Sequence, residues 1–193
     1  MQIVRTLLIA TGLLTTLAAQ GERPTWRVSQ APAELQPVIS RADLVIVSMQ
    51  DAVLRELNHE LANRGTAGAV DVFHLDLTAT IQRLARQEGI AAGRTSDRLR
   101  NPTNAPRPWA APLVQAHAGE SARNAEGFVV DLGDKVGVLR PITERPVCAG
   151  CHGPLLAPAV TTALRDRYPA DKGAGFVDGE IRGWFWVEMP KRR

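Results

Sequence analysis

Apolar residues recur at three- and four-residue steps along two stretches in the first half of the chain, which is the period of an α-helix. The stripes consist of Leu44, Val47, Val53 or Leu54, Leu57 and Leu61 in the first stretch, and of Val70, Phe73, Leu77, Ile81 and Leu84 in the second. Gly65 and Gly89 are the expected ends of the two helices. Because only a short, glycine-containing turn separates them, the pattern predicts an αα-hairpin.

The pattern changes to short apolar runs bounded by turn residues in the last third of the chain. Residues 127–130 and 135–142 flank a turn at Gly133 and predict a β-hairpin, and residues 181–189 predict a further strand. A short helix is expected over residues 157–168. Helices that precede antiparallel strands predict an α+β fold rather than a doubly wound sheet.

Between these regions lies a segment with neither the helical period nor a strand pattern, GRTSDRLRNPTNAPRPWAAP (residues 93–112). It contains four prolines and several arginines, so no helix is expected to run through it. The segment predicts a long, irregular, basic loop of the kind that is usually functional or disordered.

The N-terminal residues 1–19 have the pattern of an export signal. Arg5 precedes an apolar run of 13 residues that ends at Ala19. A membrane-spanning helix needs about 20 apolar residues, so a cleaved signal peptide is favoured over a retained anchor. We therefore expect a periplasmic protein in which residues 20–32 form a linker and residues 33–193 form a single domain.

Composition and charge narrow the classes of function. The 193 residues are 45% apolar, which suffices for one domain with a core. The formal net charge of +3 is too small to indicate a nucleic-acid partner.

Both cysteines of the chain lie in RPVCAGCHGP, residues 145–154. C-x-x-C-H is the attachment pattern of c-type haem. Cys148 and Cys151 have the spacing to add to two vinyl groups of one porphyrin, and His152 then binds the iron. Covalent capture also explains why two thiols persist in an oxidising compartment. The motif therefore favours one covalent haem c.

Two other chemistries are weaker alternatives. A thioredoxin-like dithiol site carries its C-x-x-C early, with most of the sheet downstream, whereas only 41 residues follow His152. A structural zinc needs four ligands, and beyond the motif only His59, His74 and His117 are available.

Three motifs occur in order along the chain: GRTSDRLRNPTNAP (93–106), CAGCHG (148–153) and YPADKGAGFVDGEIRGWF (168–185). From about residue 40 to its end, the chain thereby resembles a family of exported bacterial c-type haem proteins with a PAS-like fold, long catalogued as a domain of unknown function. The resemblance implies an αα-hairpin packed on an antiparallel sheet with flanking helices. It also implies thioether bonds from Cys148 and Cys151, with His152 as the proximal iron ligand.

The distal iron ligand is left open. Relatives in this family often carry a cysteine at the position of Phe73, and that cysteine can bind the iron. His74 follows, but neighbours on a helix differ by about 100° in direction, so His74 reaches an iron only if the helix is rotated or irregular. Its alternative role is a surface histidine near Asp71 or Asp76. The remaining possibilities are an open iron beneath Phe73, or ligation by His117, Met49, Met189 or His59.

The signature loop also supplies cofactor-binding candidates, which are Arg94, Arg98 and Arg100. These arginines can be solvated, can tie the loop to acids of neighbouring helices, or can pair with the haem propionates, which a guanidinium binds through two hydrogen bonds. Trp184, Phe185 and Trp186 alternate across a strand, so one side either lines the haem pocket or packs in the core.

The resemblance implies redox or ligand sensing, or electron transfer, and the first hypothesis is a sensor or electron-transfer haem protein without substrate turnover that has a redox partner protein. An open distal site would instead make the chain a gas-binding sensor for a small diatomic ligand. A peroxidase is the third possibility, and it would need His74 with Arg94 or Arg98 as the acid–base groups beside the iron.

Overall fold

The computed structural model of the protein describes residues 23–87 and 89–192, without the side chains of residues 71–80, 84, 87 and 124. The signal-peptide prediction for residues 1–19 therefore lies outside the described residues. In chain order the elements are β1 (Thr25–Arg27), α1 (Gln36–Gln87), β2 (Ala91–Thr95), α2 (Ala111–Ala116), β3 (Phe128–Asp131), β4 (Lys135–Thr143), α3 (Pro146–His152), α4 (Pro158–Arg167) and β5 (Ile181–Pro190).

Helix α1 is broken at Gly65, which has a φ of 65° and a ψ of −179°. Positive φ is a conformation that glycine adopts without the steric cost that a Cβ atom imposes. The chain turns back at this point, because Met49 from the first segment and Ile81 from the second lie in one core cluster. The predicted αα-hairpin is confirmed. Gly89, with a φ of 66°, follows the second segment as predicted.

The five strands form one antiparallel sheet in the order β1-β3-β4-β5-β2. The predicted hairpin is confirmed: β3 pairs with β4 across a turn that contains Gly133, whose φ is 94°. The predicted strand after residue 180 is β5, which lies between β4 and β2. An α+β fold with an antiparallel sheet and flanking helices is therefore confirmed.

Two predictions for irregular segments were wrong in part. Residues 91–95, which include the start of the predicted basic loop, form β2 and pair with β5. Residues 25–27 of the predicted linker form the edge strand β1, which pairs with β3. Residues 111 and 112, the last two of the predicted loop, begin helix α2. Strands β1 and β2 are both edge strands, of only three and five residues, which is too short for a sequence period to reveal them.

The two faces of the sheet are covered by different elements. Phe185 and Val187 pack with α1 in the larger core cluster, whereas Trp184 packs with Phe128 and with residues of α2 on the other face. The expected alternation between Trp184 and Phe185 is present. None of the helices in the described part of the chain has an apolar stretch long enough to cross a membrane.

Candidate functional site

A cavity of about 450 Å³ lies between α1, the segment that follows β2, and α3. Its volume is in the range of about 300–1,000 Å³ that is typical of cofactor sites. The apolar part of its wall is formed by Val53, Leu57, Leu61, Val70, Leu164 and Phe176, among others. The charged part consists of Arg94, Arg98, Arg100 and Arg182. The cavity is therefore apolar with a cationic side.

The C-x-x-C-H motif forms helix α3, which begins at Pro146 and ends at His152. Proline is favoured at a first helical position, where its missing N–H is not needed. Residues three and four apart lie on one helix face, and Cys148, Cys151 and His152 all line the cavity. Both cysteines are free thiols. The structure thus brings the three predicted motif residues to one wall.

The imidazole of His152 is held by its Nδ1 atom, which lies 2.7 Å from the carbonyl oxygen of Gly173. A carbonyl only accepts, so Nδ1 carries the proton and Nε2 keeps its lone pair. Burial lowers the pKa of His152 well below its usual value, and the charges of Arg182 and Arg100 lower it further. The result is a neutral imidazole with one nitrogen available to a metal, which is the arrangement that metal-binding histidines commonly have.

Burial also makes the thiol of Cys151 less acidic. It raises the pKa of Cys151, an effect that outweighs the opposing charge of Arg100. Nucleophilic cysteines of dithiol redox sites have lowered pKa values and are accessible to solvent. In a C-x-x-C site the nucleophile is the first cysteine, here Cys148, so the protonated, partly buried thiol of Cys151 is compatible with both the haem and the dithiol alternatives.

Arg100 holds the segment that orients His152. Its Nη2 atom donates to the carbonyl oxygens of Cys151 (2.6 Å) and Gly173 (3.0 Å), and its Nε atom lies 3.2 Å from both carboxylate oxygens of Asp171. Asp171 in turn accepts a hydrogen bond of 2.7 Å from the backbone N–H of Gly173. Arg100 therefore connects the cysteine helix to the loop that carries the His152 acceptor.

Arg98 is also engaged by protein groups. It forms an ion pair with Glu180, and its guanidinium lies 3.5 Å from the ring centroid of Phe176. A second carboxylate, that of Asp97, is 3.8 Å away. Arg98 and Arg100 thus tie their loop to acidic residues, as one of the sequence alternatives proposed. Those acids, Asp171 and Glu180, lie in the loop before β5 rather than on helices.

Arg182 was not among the predicted site residues, although it lies in the third sequence motif. It lines the cavity, and its Nε atom is 3.3 Å from Oε2 of Glu144. The side chain of Glu144 is 1% exposed, and both its carboxylate oxygens lack a hydrogen-bond donor. Burial raises the pKa of Glu144, and Arg182 opposes this only in part. A sequence pattern does not reveal such a pair, because its members are 38 residues apart.

Arg94 differs from the other three arginines. It lies on β2, opposite Phe185 of β5, and its side chain lines the cavity. Within the described part of the chain it forms no hydrogen bond or ion pair. Burial, with the repulsion of Arg182, lowers the pKa of Arg94 to about 10. It remains a cation at neutral pH.

The side chains of Phe73 and His74 lie outside the described residues, although their backbone belongs to α1. The other candidates for a distal ligand are not at the cavity. Met49 and Met189 are buried in the larger core cluster. The side chain of His59 is 68% exposed, and His117 is paired with Glu120 and packs against Phe128.

The tryptophans of β5 do not line the cavity either. Trp184 is buried in the cluster on the other face of the sheet, and Trp186 packs against that cluster. Core packing therefore explains both of them. Among the described side chains, no group of three or more His, Cys, Asp or Glu residues is arranged to hold a metal ion.

Comparison with known proteins gives one family and one fold. The sequence model of the Tll0287-like family matches residues 30–190. The crystal structure of the cyanobacterial haem protein Tll0287 is similar to this chain with a TM-score of 0.55 and 19% sequence identity, and the match covers 83% of this chain and 97% of that one. At this identity the likeness shows the fold. No curated protein matches the chain significantly.

Proposed function

The chain belongs to the Tll0287-like family, and from this membership we propose that it is a haem-binding protein that carries one covalent haem c. The name of the similar structure describes a haem protein. The residues of the cavity fit such a group. Cys148 and Cys151 supply free thiols, His152 supplies a neutral imidazole, and arginines supply cationic partners for the propionates.

The observation that carries the proposal is the joint placement of the two thiols and His152 on one wall. Cys148 and Cys151 would hold the haem covalently, because each S–H can add across a vinyl double bond, with sulfur on one carbon and the proton on the other. Nε2 of His152 would bind the iron, because Nδ1 is held by the carbonyl oxygen of Gly173. Apolar side chains of α1 form one wall of the site. When bound, the haem supplies one-electron redox chemistry.

We propose that the protein acts in the periplasm in redox sensing or electron transfer, with a redox partner protein. Export is supported by the pattern of residues 1–19. A role in holding a cofactor is supported by the cavity wall, in which Arg98, Arg100 and Arg182 each form an ion pair with an acidic side chain.

The proposal is tested by maturing the full chain in an exporting host that has a haem-attachment system. The purified protein is treated with acidified acetone, and its mass is measured. We expect the colour to stay with the polypeptide and the mass to increase by one haem. The matched control is Cys148→Ser with Cys151→Ser, which should lose its colour. Colour that leaves the wild-type chain would show that the cofactor is not covalent.

A gas-binding sensor is the second candidate, and one observation favours it. Among the described residues, no methionine and no histidine other than His152 lines the cavity, so none of the distal candidates whose side chains are described lies there. Mixing the ferrous, matured protein with carbon monoxide separates the two candidates. Rapid and complete binding favours a gas sensor, whereas no binding favours an iron with two protein ligands.

A further inference from the structure

The four arginines that line the cavity are not equivalent. Three of them are balanced by acidic side chains of the wall: Arg98 by Glu180, Arg100 by Asp171 and Arg182 by Glu144. Arg94 has no such partner among the described residues. The wall therefore carries one positive charge that the protein itself does not neutralise.

The position of Arg94 is fixed by its backbone. Strand β2 pairs with β5 over residues 91–95, and Arg94 is opposite Phe185 in that ladder. Its side chain lies on the face of the sheet that Phe185 shares with α1, and it reaches the cavity. An unpaired, desolvated cation is unfavourable unless a ligand completes it. The charge of Arg182, which also lines the cavity, still opposes that of Arg94 despite its pair with Glu144.

We propose that Arg94 is the anchor for one carboxylate of the bound cofactor, a haem propionate, whereas Arg98 and Arg100 are structural parts of the wall. This inference rests on the proposed function and assigns a role to one residue of that site. A guanidinium fits a carboxylate through two parallel, charge-assisted hydrogen bonds. One free cation binds one propionate, and the second propionate has no free arginine among the described residues.

The assignment is tested in the matured haem protein by resonance Raman spectroscopy, since the propionate-bending bands respond to hydrogen bonding of the carboxylate. We compare wild type with Arg94→Gln, Arg94→Lys and Arg98→Gln. One propionate band should shift to lower frequency in Arg94→Gln and should shift less in Arg94→Lys. It should stay in place in Arg98→Gln, the matched control, because that arginine is already bonded to Glu180.

An unshifted band in Arg94→Gln overturns the inference, and so does the same shift in Arg98→Gln. If Arg94→Gln does not fold, Arg94→Lys decides, since a point charge does not reproduce the forked hydrogen bonds; a band identical to wild type then overturns the inference. Failure of the proposed function is visible earlier and separately, because wild-type protein would then lose all its colour in acidified acetone.

Discussion

Nδ1 of His152 lies 2.7 Å from the carbonyl oxygen of Gly173, so the orientation of the imidazole depends on a loop 21 residues further along the chain. That carbonyl also accepts a hydrogen bond of 3.0 Å from Arg100. The loop is fixed by Asp171, which binds both Arg100 and the N–H of Gly173. A substitution at Asp171 should therefore alter the orientation of the His152 imidazole through this loop, although no hydrogen bond joins the two side chains.

We predict that Asp171→Ala leaves haem attachment possible but makes the environment of His152 heterogeneous. The variant loses charge-assisted hydrogen bonds, which are worth about 1.5–3 kcal/mol each, so its unfolding free energy should fall by about that amount. EPR spectra of the ferric protein should broaden. Asp166→Asn is the control, since its pair with Arg165 is highly exposed. A sharp, wild-type EPR spectrum in Asp171→Ala would contradict the positioning role.

A second prediction concerns Gly93, the first glycine of the signature loop. A Cβ atom at this position would lie 2.6 Å from Cζ2 of Trp186, its partner across the β2–β5 ladder. Overpacking of this kind costs about 1–3 kcal/mol, so Gly93→Ala should lower the unfolding free energy by that amount in urea denaturation. Trp186→Leu removes the clash, and in the Trp186→Leu background the alanine should cost much less. An equal cost in both backgrounds would show that the indole is not the cause.

The third prediction concerns pH. Burial raises the pKa of Glu144 above its usual value of 4.5, so between 4.5 and the raised pKa the folded protein binds more protons than the unfolded chain. The contribution of Glu144 to the unfolding free energy is then fully present below pH 4.5 and is lost as the pH rises through the raised pKa. Glu144→Gln should remove this dependence.

The measurement for Glu144 is urea denaturation of wild type and Glu144→Gln at a series of pH values from 4.5 upward. The relevant quantity is the difference in unfolding free energy between wild type and Glu144→Gln at each pH. The lowered pKa of His152 has the opposite effect on stability, and it cancels in that difference. Parallel curves would mean that Glu144 titrates normally in the folded protein.

A fourth prediction concerns the attachment of α1 to the sheet. Arg140 of β4 donates two hydrogen bonds, of 2.7 and 2.6 Å, to the carboxylate of Asp43 on α1. The pair is partly exposed, and its contribution is expected at about 0.5–1 kcal/mol. Thermal denaturation of Asp43→Asn should show this loss, whereas Asp166→Asn should be neutral. A loss that survives high salt unchanged would point to lost packing rather than lost charge.

The helices and the central strands were predictable because their sequences carry a period. Gly65 marks the break in α1 and Gly133 marks the β3–β4 turn, and both need positive φ. Strand β2 was not predictable, because Gly93 and Arg94 look like loop residues. Gly93 lies in a strand because Trp186 packs over it, and this is a contact between residues far apart in sequence.

The residues of the candidate site also fall into those that the sequence predicts and those that only the folded chain brings together. Cys148, Cys151 and His152 were predicted as site residues from their spacing, and helix α3 brings them together along the cavity. The partners of the arginines were not predictable, because Glu144, Asp171 and Glu180 meet them only when β4 and the loop before β5 pack together. The difference between Arg94 and its neighbours is therefore a property of the folded chain.

The outer strands of the sheet are short, with three residues in β1 and five in β2. Each leaves few backbone N–H and C=O groups unpaired, and a long free edge is what allows strands of separate molecules to join. The arginine on β2 further disfavours stacking with another copy. The short edge strands therefore offer strands of other molecules little free backbone with which to pair.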